Sequence, residues 1–190
     1  MYLALRFAAP YLAVAVFWFY IPNAWLATLS YHILIVLLAR GRISPPSLPP
    51  KPIYLFYALP TVAVGPLLWV LLPHLASGGL DAWLARRHFS TSSLLLFLPY
   101  FGLIHPWLEQ VHWKPLREHT PLAHPLFAGY HILVLASLTT WPWLVFAFCS
   151  LSLVSYFWGK LTSHAKSLTP AYVSHAIADI GLVIAAYLRT

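Results

Sequence analysis

Four side chains in the second half of the sequence have the chemistry of acid–base catalysis and metal binding: Glu109, His131, His175 and Asp179. Each lies in or at the end of an apolar stretch, where a charge costs several kcal/mol unless it is paired or neutralised. His175 and Asp179 are four residues apart and therefore share one face of a helix. A carboxylate and two imidazoles contributed by three helices can bind a metal or orient a water molecule.

The stretch IHPWLEQVHWKPLRE, residues 104–118, holds both glutamates of the chain. His105 precedes Glu109 by four residues and His112 follows it by three, so all three share a helical face. A structural alternative stays open, in which Glu109 bonds to His105 or His112 and Asp179 simply pairs with His175. His32 and His74 are each expected to hydrogen-bond between helices, or to extend towards the bilayer surface near a helix end.

Composition assigns the chain to membrane proteins. Of its 190 residues 61% are hydrophobic and 8% are charged, with a mean hydropathy of +0.75, whereas a soluble domain is about a quarter charged. The net charge of +7 comes from basic residues in short, separate groups, which argues against nucleic-acid binding. A single cysteine, Cys149, excludes an intrachain disulfide.

The apolar pattern predicts an all-α, polytopic transmembrane bundle of about seven helices in one domain, residues 1–190. The expected helices are 3–20, 23–39, 53–75, 91–112, 122–138, 143–159 and 168–188. Between them, 40–52 reads as an extended, solvated, proline-rich loop. Residues 76–90 read as a loop with room for a short amphipathic element. The expected loops also include Lys114 to Pro121, with Glu118, and Lys160 to Lys166.

The basic residues predict an orientation. A cytoplasmic N-terminus puts most of them inside, as bilayer proteins prefer. The inside set is Arg6, Arg40, Arg42, Lys51, Lys114, Arg117, Lys160 and Lys166, and the outside set is Arg86, Arg87 and Arg189. Glu109, His131 and His175 then lie at similar depth in the cytoplasmic half. We expect a multi-pass protein of a bacterial inner (plasma) membrane.

Three motifs in this order resemble the CPBP intramembrane proteases, the family of the type II CAAX prenyl endopeptidases and of bacteriocin-processing, Abi-like immunity proteins. The family's paired glutamates followed by an arginine correspond to Glu109-Gln110-Val111-His112-Trp113-Lys114. Its Phe-x-x-x-His motif corresponds to Phe127 through His131, and its final His-x-x-x-Asn/Asp motif to His175 through Asp179. The likeness covers about 103–185, within a CPBP-like core of about 91–188. Gln110 replaces the second glutamate and Lys114 replaces the arginine.

This resemblance implies a function and a set of roles. Glu109 would be the general base that activates water, and His131 would hold the water or a metal. His175 and Asp179 would bind the metal or stabilise the oxyanion. The implied substrate is a membrane-bound, for example prenylated, peptide, and the implied cofactor is a divalent metal such as zinc on His131 and His175, with Glu109. The supporting residues are Gln110, His105, His112, Trp113, Lys114 and Phe127.

Two other classes of function stay open. Because glutamine cannot act as a base, a catalytically inactive relative could serve as a membrane interaction or immunity protein. The histidines could also ligate haem or serve transport, and Glu109-x-x-His112 has the spacing found in di-iron bundles. That motif occurs once where two are expected, which weighs against the di-iron interpretation.

Overall fold

In the computed structural model, described for residues 2–39, 43 and 46–190, the chain is 80% helical and has no strand within these ranges. The all-α prediction is confirmed. The helices of the described residues are α1 (Tyr2–Tyr20), α2 (Ala24–Ala39), α3 (Ile53–Leu75), α4 (Leu80–Ala85), α5 (Thr91–His119), α6 (Ala123–Leu135), α7 (Trp141–Ala165) and α8 (Thr169–Tyr187). The short α4 lies in the segment expected to hold a short element.

Five of the described helices are long and apolar enough to cross a membrane: α1, α3, α5, α7 and α8. Large apolar side chains such as Leu37, Leu96 and Leu153 are about 70% exposed, which suits a surface that contacts lipid tails. The chain is therefore an integral membrane protein. The apolar helices α2 and α6 have 16 and 13 residues, fewer than the roughly 20 that a span needs, so seven spans remain a prediction.

Helix α8 is the most enclosed of the five. Of the residues in its most apolar stretch, 56% are buried inside the protein, compared with 11% for α3. Glycines let its neighbours approach closely. A Cβ added to Gly181 would lie 2.9 Å from the backbone of Gly65 in α3. A Cβ on Gly102 of α5 would lie 2.5 Å from Ile180. These contacts hold α8 between α3 and α5, with Asp179 directly beside the crossing.

Helix α5 widens before it reaches the candidate site. Tyr100–Ile104 forms one wide, π-helical turn. Pro106 has no N–H and its ring clashes with the carbonyl four residues earlier, that of Gly102. A local widening of the helix relieves this conflict, and such turns are frequent at functional sites. His105 follows the wide turn directly, so the turn sets the direction of its side chain.

Several predicted boundaries are wrong. Helix α5 continues to His119 instead of ending at 112, so Glu118 is helical and pairs with Lys114 at 2.9 Å, an i,i+4 contact that supports the added turns. Helix α7 continues to Ala165, through the loop expected at 160–166, and stops where Lys166 has a φ of 49°. Helix α6 ends at Leu135, three residues early.

The prediction of an extended, solvated loop at 40–52 falls partly outside the described residues, as do Arg40 and Arg42. Its described part contacts the start of α8. The carbonyl of Ser47 accepts hydrogen bonds from Ser167 at 2.7 Å and from Thr169 at 2.5 Å, and Pro49 is buried. This part of the loop is therefore docked on the bundle and not fully solvated.

Candidate active site

Glu109 is fully buried and is held through one carboxylate oxygen. Its Oε1 accepts hydrogen bonds from the hydroxyl of Tyr31, at 2.7 Å, and from the hydroxyl of Tyr130. The indole N–H of Trp113 donates to the Tyr31 hydroxyl at 3.0 Å and fixes its position. Three helices, α2, α5 and α6, thus set the orientation of this one carboxylate.

The other oxygen, Glu109 Oε2, is buried and has no hydrogen-bond partner among the described residues. It lies 3.7 Å from His105 Nε2 and 3.8 Å from His175 Nε2. Asp179 Oδ2 is also buried and unpartnered, at 3.4 Å from His175 Nε2 and 4.0 Å from His105 Nε2. Two carboxylate oxygens and two imidazole nitrogens therefore alternate around one buried cluster.

A metal ion could be held by three of these residues. The ligand atoms of His105, His175 and Asp179 lie within 4.8 Å of one another, and all three residues are buried. In a tetrahedral zinc site with bonds of about 2.0 to 2.1 Å, neighbouring ligand atoms are about 3.3 Å apart. The distance of 3.4 Å between His175 Nε2 and Asp179 Oδ2 matches this spacing, whereas His105 Nε2, at 4.0 Å from Asp179 Oδ2, would have to move closer to bind the same ion.

His131, expected to be a metal ligand together with His175, is not in this group. Its Nδ1–H donates to the Phe127 carbonyl at 2.8 Å, and its Nε2 lies 3.0 Å from the Tyr130 hydroxyl. Both ring nitrogens therefore have neighbours other than the cluster. The Tyr130 hydroxyl lies between His131 and Glu109, and Phe127 supplies the carbonyl that orients the imidazole.

His105 connects the cluster to α2. Its Nδ1 lies 2.9 Å from His32 Nε2, and His32 Nδ1 lies 2.7 Å from the Tyr100 hydroxyl. The row Tyr100–His32–His105 thus bridges two helices, as expected for a histidine inside a bundle. It gives His105, expected only as a supporting residue, a fixed place between both carboxylates.

Gln110 contacts His175 at Nδ1, the ring nitrogen other than the one that lies near the two carboxylates. Its amide nitrogen lies 3.2 Å from His175 Nδ1, and its carbonyl oxygen accepts a hydrogen bond of 2.7 Å from Arg117 Nη1. Arg117 Nε also donates to Ser155 at 3.0 Å. The guanidinium lies over the rings of Phe127 and Trp158, at 5.3 and 5.9 Å from their centroids. Arg117 therefore holds Gln110 and, through it, His175.

Two residues expected to support Glu109 face elsewhere. His112 Nε2 lies 3.0 Å from the carbonyl oxygen of Arg6, and Arg6 Nη2 donates to the His112 carbonyl at 2.7 Å. His112 thus joins α5 to α1. Lys114, which matches the arginine of the family motif, pairs with Glu118 at the surface and is 41% exposed.

Three residues that contact the site were not predicted from the sequence: Tyr31, Tyr130 and Arg117. Tyr130 directly precedes His131, and its hydroxyl in an apolar helix was a usable signal. Arg117 lies seven residues after Gln110, two helical turns along the same face, but a helix ending at 112 hid this relation. Tyr31 lies in a segment whose sequence is that of a generic apolar span and carried no specific signal.

Known proteins supply no template for this site. In comparisons with protein-family models, curated proteins and solved structures, nothing matches the chain.

Proposed function

We propose that the chain is an intramembrane endopeptidase resembling the CPBP family, in which Glu109 activates the water that hydrolyses a peptide bond. One observation carries the proposal: two tyrosine hydroxyls hold Glu109 Oε1, while Oε2 is buried and unpartnered beside His105 and His175. Charged groups inside a membrane protein are costly and typically mark function.

The proposed reaction adds water across the amide bond. Glu109 Oε2 takes one proton from the water, whose oxygen bonds to the scissile carbonyl carbon. His175 Nε2, which lies 3.4 Å from Asp179 Oδ2 before the substrate binds, donates to the carbonyl oxygen as negative charge develops there, while Gln110 orients the imidazole at Nδ1. Glu109 then gives its proton to the leaving nitrogen as the carbon–nitrogen bond breaks.

The substrate class is a membrane-bound peptide, with a prenylated C-terminal segment as the specific case. A site buried among apolar helices suits a peptide held in the bilayer by its own lipid or apolar segment. A divalent ion such as zinc, which histidine nitrogen and carboxylate oxygen can ligate, would be held by His105, His175 and Asp179, and it would polarise the carbonyl or the water in place of the hydrogen bond from His175. Binding it requires a lone pair on His175 Nε2.

Two glutamates on the same helix provide a matched test. Glu109→Gln and Glu118→Gln make the same chemical change, one in the cluster and one in the surface pair with Lys114. With purified protein in lipid vesicles and a fluorogenic prenylated peptide, we expect Glu109→Gln to lower the cleavage rate by about 10³-fold or more, and Glu118→Gln to leave it unchanged. Equal rates in wild type and Glu109→Gln would refute the mechanism.

The alternative is a non-catalytic membrane interaction or immunity protein, and Gln110 in place of a second glutamate favours it. This alternative predicts that wild type does not cleave the peptide and that a cellular phenotype survives Glu109→Gln. Loss of both cleavage and phenotype in that variant alone would favour the enzyme.

The proposal includes a topology of seven spans with the N-terminus in the cytoplasm of a bacterial cell. Gly78 lies in the loop before α4 with open space around it, and Ser163 is exposed near the end of α7. In a Cys149→Ser background, a membrane-impermeant maleimide should label Gly78→Cys in intact cells and Ser163→Cys only after lysis. The reverse labelling would invert the topology.

A further inference from the structure

Arg117 fixes the orientation of the Gln110 amide. A guanidinium can only donate hydrogen bonds, so the Gln110 atom at 2.7 Å from Arg117 Nη1 must be the carbonyl oxygen. A flipped amide would set its NH₂ group against this donor. The NH₂ group is therefore directed at His175 Nδ1, 3.2 Å away.

This contact decides where neutral His175 carries its proton. Because the amide donates, Nδ1 must accept, and a neutral imidazole that accepts at one nitrogen carries its hydrogen on the other. The hydrogen is then on Nε2, which lies 3.4 Å from Asp179 Oδ2 and 3.8 Å from Glu109 Oε2. Asp179 Oδ2 is the nearer of the two oxygens, is buried and has no hydrogen-bond partner among the described residues, so it is the acceptor available to this N–H, whereas Glu109 Oε2 lies beyond direct hydrogen-bond distance.

We propose that Gln110, held by Arg117, is a positioning residue that keeps the proton of His175 on Nε2, so that His175 serves the cluster as a hydrogen-bond donor and not as a metal ligand. A metal needs the lone pair of Nε2, which this proton occupies. His105, His175 and Asp179 are close enough to hold an ion after a rearrangement of His105, but the tautomer of His175 opposes it.

A glutamate at position 110 would have the opposite effect. A carboxylate accepts hydrogen bonds, so it would draw the His175 proton to Nδ1 and leave the lone pair on Nε2 facing the cluster. It would also form an ion pair with Arg117. The side chain at position 110 therefore decides whether His175 donates a hydrogen bond to the cluster or can bind a metal together with His105 and Asp179. The inference concerns the proton on His175 and stands whether or not the chain cleaves peptides.

Cobalt binding tests this inference without any activity assay. Purified wild type, Gln110→Glu and the double variant Gln110→Glu/His175→Ala are titrated with Co²⁺ in detergent, and visible absorption reports tetrahedral binding. Because groups that orient a ligand change metal affinity by about 10- to 100-fold, we expect Gln110→Glu to bind at least about tenfold more tightly than wild type. The double variant should lose this gain.

The inference would be overturned if wild type bound Co²⁺ as tightly as Gln110→Glu does.

A second measurement needs only correctly folded wild type: ¹⁵N NMR of histidine-labelled protein in bilayers, with His175→Asn identifying the His175 signals. Neutral His175 should show a protonated Nε2 and an unprotonated Nδ1. The reverse pair of shifts would refute the proposal, even if Gln110→Glu fails to fold.

Discussion

Two arginines near the two ends of α5 have similar surroundings and different consequences. The guanidinium of Arg87, just before α5, lies over the rings of Trp18 and Trp83, at 4.6 Å from each centroid. That of Arg117, in the last turn, lies over Phe127 and Trp158. Each guanidinium group thus lies against two aromatic rings that also contact each other.

The two arginines differ in the groups that accept their hydrogen bonds. Arg87 donates to the Trp83 carbonyl, at 2.9 Å, and to the Ser137 hydroxyl. These contacts tie the loop before α5 to the segment after α6. Burial lowers the pKa of Arg87, and neighbouring Arg86 lowers it further. Arg117 instead donates to Gln110, which contacts His175. The partner groups make one arginine structural and the other part of the site.

The largest effect on stability is expected at Arg87. Arg87→Ala removes two ring contacts and two charged hydrogen bonds, so the apparent free energy of unfolding should fall by about 3 kcal/mol. Unfolding in mixed micelles of detergent and SDS measures this loss. Arg86→Ala, at the exposed neighbour, should change it by less than about 0.5 kcal/mol. Equal losses in both variants would contradict the structural role of Arg87.

Arg117→Lys should affect the proposed peptide cleavage more than the fold. Lysine keeps the charge but cannot reach Gln110 and Ser155 together with a planar fork. We expect cleavage to slow about tenfold or more, equivalent to roughly 1.4 kcal/mol, with a smaller loss of stability. The rate per folded molecule is compared with that of Arg87→Lys, which should match wild type. If Arg87→Lys is slowed equally, the two arginines do not differ as described.

A larger side chain at Gly102, in the wide turn of α5, should have an intermediate effect on stability. The added Cβ of Gly102→Ala would overlap Ile180 and push α8 with Asp179 away, at a cost of about 1 to 2 kcal/mol. Ile180→Ala in the same chain creates room and should restore part of the loss. A double-mutant cycle on unfolding free energy measures this coupling. Simple additivity would show that the contact does not position the site.

The smallest effect is expected at the surface pair of Lys114 and Glu118. Lys114→Ala removes one exposed ion pair, worth about 0.5 kcal/mol or less. Cleavage should be unchanged, although Lys114 matches the arginine of the family motif. A loss of activity comparable to that of Arg117→Lys would show that Lys114, and not Arg117, serves the site.

Contacts within one helix could be predicted from the sequence, whereas contacts between helices could not. Helical spacing within single segments predicted that His105 shares a face with Glu109 and that His175 shares one with Asp179, because residues four apart share a face whatever the tertiary structure. Arg117 was not predicted because the expected end of the helix at residue 112 separated it from Gln110. Tyr31 was not predicted because its partner, Glu109, lies on another helix. The direction of His131 depends on the Phe127 carbonyl and the Tyr130 hydroxyl, which the spacing of the motif does not encode.

The central claim, that Glu109 activates water, is tested most directly by oxygen labelling in a single turnover. Excess wild-type protein is mixed with a membrane-bound peptide in H₂¹⁸O, and the new C-terminal carboxyl group is analysed by mass spectrometry. A base mechanism predicts one ¹⁸O atom per product in this first turnover, and no product with Glu109→Gln. Unlabelled product would contradict the account, because the oxygen would then come from the Glu109 carboxylate acting as a nucleophile.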